Sequence, residues 1–169
     1  AFHRYVISYT PQKQDADGSF RAIALTTPNP NYRVRAREGT AKVVFSLDSD
    51  FLVTGPDHLA LARQFGASRV VDSQADAQKM IRLYQAEGVF STTGTNADHR
   101  VRIASGEGVS LLKALATALG EADLGTGAGA LNEAQQKFVA ALAKDLAANK
   151  GASLVIVGER QPAAVHALA

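Results

Sequence analysis

Apolar residues run along this chain in short bursts, and most bursts are followed by a polar stretch and then by apolar positions at helical spacing. Lys42-Val43-Val44-Phe45-Ser46-Leu47 is a nearly continuous apolar run, the pattern of a strand buried on both faces of a parallel sheet. Ser153-Leu154-Val155-Ile156-Val157 has the same character. Met80-Ile81-Arg82-Leu83-Tyr84 reads as a weaker strand, and Phe2 to Tyr9, aromatic and β-branched and closed by Thr10-Pro11, as another.

Helical spacing fills the intervals. Gly55 and Pro56 open a helix through Phe65 whose inner face is Leu61, Ala62 and Phe65. A second helix runs from about Gly108 to Leu119, with Leu111, Leu112, Leu115 and Leu119 on one stripe, Lys113 and Thr117 outward, and Gly120 as its stop. Asn132 with Gln135 three residues on forms a capping box for a third, which buries Phe138, Leu142 and Leu146 and ends at Gly151. Gly158 to Pro162 turns the last strand into a final helix.

Residues 12–39 give conflicting signals and read mostly as loop, Ser91 to Asp98 is a loop by composition, and the Gly/Ala-rich residues 121–131 read as a flexible link. The alternation of strand and helix predicts an α/β fold on a mainly parallel sheet, with no internal repeat. The chain starts at Ala1, and its last helix stops without a capping residue, so it is expected to be one domain cut from a larger protein.

With 169 residues, 46% of them apolar, the chain can build one core. No stretch approaches the run of about eighteen apolar residues that a membrane span requires. The net charge of +2 and the scattered basic residues argue against nucleic acid as a partner. There is no cysteine, which removes iron–sulfur ligation, thiolate zinc sites and cysteine nucleophiles from this segment. His3, His58, His99 and His166 show no metal-ligand spacing, and no G-x-S-x-G elbow or P-loop is present. Asp48 and Asp50 beside Thr54 are better explained as turn-bonding residues than as a magnesium site. No catalytic residue and no metal ligand is therefore assigned.

In an open parallel sheet, ligands bind where loops leave the carboxyl ends of the strands. Three loops qualify: Asp48 to Gly55, Gln85 to Asp98, and Gly158 to Gln161. Their small and hydroxyl residues suit backbone N–H contacts to phosphate or sugar. The glycine cluster at 125–129 follows a helix instead of a strand and is a poor phosphate loop.

Three stretches together resemble one family: Lys42 to Leu52 (KVVFSLDSDFL), Thr95 to Arg100 (TNADHR) and Gly151 to Leu168 (GASLVIVGERQPAAVHAL). They are similar to the molybdopterin oxidoreductases. Within that family they most resemble the molybdopterin-like region of the iron–sulfur subunit of alternative complex III, a quinol-oxidising membrane complex, and related hydrogenase-type iron–sulfur proteins. The resemblance spans about Lys42 to Ala169. It implies a Rossmann-like three-layer sandwich of the formate dehydrogenase and dimethyl sulfoxide reductase type, on the periplasmic side of the cytoplasmic membrane, exported by a twin-arginine signal. The iron–sulfur clusters would lie elsewhere in the parent subunit. The partners implied are other domains of that subunit and other subunits of a membrane respiratory complex.

Catalytic members of the family hold a guanine-dinucleotide pterin through a glycine-asparagine-proline loop and an aspartate-proline-arginine run. Asp48-Ser49-Asp50 and Glu87-Gly88-Val89 stand in those places here. The acids repel a diphosphate, and the arginine that would pair it is gone, which argues against a molybdopterin. Two functions follow from the resemblance. One is a non-catalytic structural and interaction domain of an iron–sulfur electron-transfer subunit, with no cofactor of its own. The other is a pterin- or nucleotide-binding domain, with Asp48, Glu87, Thr92, Thr95, Asn96 and Gly158 along the ligand rim.

Overall fold

The computed structural model describes residues 41–104, 106–121 and 130–169. The strand expected at Phe2 to Tyr9, the loop at 12–39 and the centre of the 121–131 link lie outside the described residues. The elements, in chain order, are β1 (Val43–Leu47), α1 (His58–Ala67), α2 (Gln74–Ala77), β2 (Arg82–Glu87), α3 (Thr92–Thr95), β3 (His99–Arg102), α4 (Gly108–Ala118), α5 (Glu133–Ala148), β4 (Ser153–Val157) and α6 (Ala163–Leu168).

All three strand pairings are parallel, and the sheet order is β3-β2-β1-β4. β1 is central, with Phe45 opposite Tyr84 on one side and Val155 on the other. Because side chains alternate along a strand, β1 supplies two cores. Val43, Phe45 and Leu47 join Tyr84, Ala86 and Val101 under α4, α5 and α6. Val44 joins Leu83, Ile81, Phe51 and Leu52 on the opposite face, against Leu61, Ala62 and Phe65 of α1. The fold is α/β on a parallel sheet, as the alternation of elements predicts, and its helices on both faces make it a Rossmann-like three-layer sandwich.

Local chemistry explains the element ends. Gly55 has φ of +92°, a conformation that favours glycine, and it turns the chain ahead of α1. That helix begins at His58, so Pro56 lies in the turn and not at the first helical position. α5 carries both bonds of the capping box: Gln135 N–H donates to Asn132 Oδ1 at 2.9 Å, and Asn132 N–H donates to Gln135 Oε1 at 3.0 Å. Phe138 packs edge-on against Tyr84 and tilted against Phe45.

Four further expectations need correction. β2 runs from Arg82 to Glu87 and not from Met80 to Tyr84, because Gln85 and Glu87 are buried inside the strand and not in a loop. β4 lies beside β1 with no further neighbour among the described strands, and Leu154 is 38% exposed, so it is not a strand buried on both faces. Leu119 follows the last residue of α4 and is 40% exposed, leaving Leu111, Leu112 and Leu115 as the buried stripe. Residues 91–98 contain the short helix α3.

Candidate functional site at the carboxyl rim

The order β3-β2-β1-β4 puts the topological switch point between β1 and β4, where chain connections depart in opposite directions. The residues leaving those strands are Asp48 and Gly158. Asp48 has φ of +52°, which turns the chain sharply off the sheet. Gly158 lies so close to that turn that a Cβ would collide with the Asp48 carbonyl. Gly158 N–H donates to Leu47 O at 2.8 Å, and Asp48 N–H donates to Ala86 O at 2.7 Å. The Asp48 carboxylate accepts Gln161 Nε2–H at 2.9 Å and, more weakly, Gly88 N–H at 3.4 Å. Asp48 thus bridges the exits of β2 and β4 across the crevice that a ligand would enter.

Beside it, on the α1 face, lies a buried polar layer. Glu87, 1% exposed, accepts from Ser91 Oγ–H at 2.5 Å, Ser91 N–H at 3.3 Å, Gln85 Nε2–H at 3.0 Å and Arg100 Nε–H at 2.5 Å. Burial pushes its carboxyl pKa up, but the hydrogen bonds from Ser91, Arg100 and Gln85 outweigh burial and hold it below the usual carboxylate value. Gly94 packs against this carboxylate with no room for a side chain. Asp50 Oδ1 accepts both Thr93 N–H at 2.8 Å and Thr93 Oγ1–H at 2.7 Å, and Thr93 Oγ1 in turn accepts Leu52 N–H. Ser46 Oγ–H and Gln85 Nε2–H both donate to Ser49 O. Gln85 Oε1 is the buried side-chain polar atom left without a partner among the described residues.

The structure brings Asp48 and Gly158 to the rim just past β1 and β4, and Glu87, expected in a loop, as the buried last residue of β2. It does not join Thr92, Thr95 and Asn96 to them as one set of ligand contacts. Thr95 Oγ1–H donates to Ser91 O and Asn96 Nδ2–H to Thr92 O, so both side chains close their own helical turn. Ser91, Thr93, Gln85, Arg100 and Gln161 complete the network and were not singled out by sequence. Ser91 placed three residues before Gly94 was the available signal, because its Oγ caps α3 by accepting Gly94 N–H at 2.9 Å.

The run Asp98-His99-Arg100 ties three parts of the fold together. Asp98 binds the Arg69 guanidinium through both oxygens, at 2.8 and 2.7 Å, and accepts Leu83 N–H. His99 stacks on Tyr84 with ring centres 4.5 Å apart. Arg100 holds Glu87. Tyr84 O–H donates to Asp145 on α5 at 2.6 Å, and Arg82 pairs with the same carboxylate.

A cleft of about 240 Å³ opens at the other end of the sheet, beside Lys42, Lys79, Arg82, Asp98 and Asp145. Its Arg82, Asp98 and Asp145 are spent on ion pairs, and it lies away from the strand exits. No group of three or more histidine, aspartate and glutamate side chains able to hold a metal occurs among the described residues. No protein-family model matches the chain, and neither does any curated protein. No helix among the described residues is long and apolar enough to cross a membrane.

Proposed function

We propose that this chain is a non-catalytic, molybdopterin-oxidoreductase-like structural and interaction domain of an iron–sulfur electron-transfer subunit, within a membrane-associated respiratory complex on the periplasmic side. One observation carries the reading: the polar groups at the carboxyl rim are already bonded to each other. Asp48, Asp50 and Glu87 accept hydrogen bonds from Gln161, Thr93, Ser91, Gln85 and Arg100.

A guanine-dinucleotide pterin does not fit these residues. Its diphosphate would meet the Asp48 carboxylate at the switch point, a negative charge that Gln161 and Gly88 N–H hold in place there. Glu87 is the buried member of the three acids, and a ligand that drew Ser91 or Arg100 away from it would leave a buried carboxylate short of donors, at about 1–3 kcal/mol. The chain has no cysteine, so iron–sulfur clusters of the parent would take their thiolates from outside these 169 residues.

The alternative, a nucleotide-binding domain, draws its support from the switch-point crevice between β1 and β4, the usual ligand position of this fold class. Titration with guanine nucleotides while following thermal unfolding separates the two. A ligand at a hundred times its Kd adds about 2.7 kcal/mol of stability. The scaffold reading expects no shift, together with no molybdenum, tungsten or pterin fluorescence in the whole subunit. Stoichiometric metal or a saturable rise in Tm would overturn it.

A further inference from the structure

The polar layer of Ser46, Gln85, Glu87 and Thr93 is turned inward at the rim, while apolar side chains beside it are displayed outward. Val53 and Leu59 follow β1, Val89 and Phe90 follow β2, and all four are exposed. The two segments are stitched together by the bonds of Asp50 and Leu52 to Thr93. A ligand cradle has the opposite arrangement, with unspent polar groups converging on an enclosed apolar floor.

Phe90 is 63% exposed and Val89 80%, yet the chain on either side of them is anchored. Gly88 N–H is tied to Asp48, and Ser91 is tied to Glu87 through both its N–H and its hydroxyl. The Arg100 guanidinium lies 4.3 Å from the centre of the Phe90 ring and is itself pinned by the buried Glu87. An aromatic residue held in this way loses little conformational freedom on docking, which is the property of an interface anchor. The charge beside it is basic. Arg100 spends only its Nε–H on Glu87 among the described residues, leaving its terminal N–H groups, and Arg102 stands exposed two residues on along β3.

We propose that Val89 and Phe90, flanked by Arg100 and Arg102, form a protein-docking face whose partner is a protein surface with an apolar recess bordered by carboxylates. The face deepens the scaffold reading, on which it rests, by assigning the surface through which the domain would interact. Arginine can grip such carboxylates in bidentate fashion while the two apolar side chains fill the recess.

The test places a photo-crosslinking residue, Phe90→benzoylphenylalanine, in the full-length protein in its own cells, with Leu119→benzoylphenylalanine as an exposed apolar control. The expected result is a discrete adduct from position 90 and none from 119, joined to a partner segment in which carboxylates neighbour apolar residues. Arg102→Glu is expected to lower the yield at least about fivefold, as does raised salt. Val89→Ser with Phe90→Ser should abolish co-purification at an unchanged melting temperature.

No adduct at position 90, an adduct unaffected by Arg102→Glu, or an adduct only to a second copy of this chain would overturn the proposal. So would binding to vesicles of phosphatidylcholine and phosphatidylserine that depends on Phe90. The nucleotide titration tests the scaffold reading separately. A flat titration with no adduct removes the docking face alone, whereas nucleotide stabilisation with an adduct removes the scaffold reading and keeps the face.

Discussion

Arg100 reaches from β3, the edge strand beside β2 among the described strands, to the buried carboxylate of Glu87 and donates its Nε–H at 2.5 Å. The pair joins the last residue of β2 to the neighbouring strand and is the charged centre of the rim's polar layer. Removing one member of a buried ion pair leaves the other without compensation, and this is costlier than removing both. Arg100→Met is therefore expected to lower stability by about 3 kcal/mol. Arg100→Met combined with Glu87→Gln should recover part of that loss. A double-mutant cycle from urea unfolding checks this, and additive losses would contradict it.

Acid should weaken the fold through three carboxylates. Burial raises the pKa of each, but hydrogen bonds overcome it: Ser91 and Arg100 for Glu87, Arg69 and Leu83 N–H for Asp98, Tyr84 and Arg82 for Asp145. Their folded values therefore lie below their unfolded ones. The stability they contribute is complete above the ordinary carboxylate range, near pH 4, and is lost as pH falls from there through the folded values. Tm measured across this range should fall with acid, and Asp98→Asn should make the fall shallower.

Tyr84 sets the alkaline counterpart. Burial first, and then its hydrogen bond to Asp145, pushes the phenol up to about 12 from the ordinary 10. Its contribution is present below the unfolded pKa and is lost as pH rises through the folded one. Of the four tyrosines, Tyr84 is expected to ionise near pH 12 by ultraviolet titration. Tyr84→Phe should remove that component and lower stability by about 1.5 kcal/mol, since Asp145 keeps Arg82 as a partner.

Gly158→Ala should be disruptive out of proportion to its size, because the new methyl group meets the Asp48 carbonyl. Overpacking of this kind costs about 1–3 kcal/mol. Gly66→Ala, where nothing lies within 4 Å of the added atom, is the matched control and should be neutral or mildly stabilising. Equal Tm values for the two variants would contradict the close approach of the β1 and β4 exits.

The sheet was legible in the sequence wherever burial meant hydrophobicity. Val43 to Leu47 reads as a buried strand because all but Ser46 are apolar, and the capping box of α5 is written in Asn132 and Gln135. β2 was misplaced because its buried second half, Gln85 and Glu87, is polar and is made tolerable only by Ser91 and Arg100, partners that no hydropathy pattern connects to it. β4 looked like an interior strand because hydropathy does not record how many neighbours a strand has. Asp48 and Gly158 could be placed at strand exits from their positions alone. Their mutual contact depends on the left-handed turn at Asp48 and on the reach of Gln161, which come from tertiary structure. Thr95 and Asn96 looked like ligand groups because a loop assignment left their side chains without work, whereas helix α3 uses both.

The two faces of the sheet are guarded unequally. No residue of α1 is fully buried, whereas α5 buries six and is capped at its start. Amide hydrogen exchange should therefore proceed in two tiers, with α1 exchanging through a cheap local opening and α5 only as the whole domain unfolds. The Arg69 clamp on Asp98 and its position over Phe65 add to the packing of Leu61, Ala62 and Phe65 in resisting the first tier. A chain with that clamp cut would breathe on one side only, baring Val44 and Leu83 to solvent while the opposite layer stays shut.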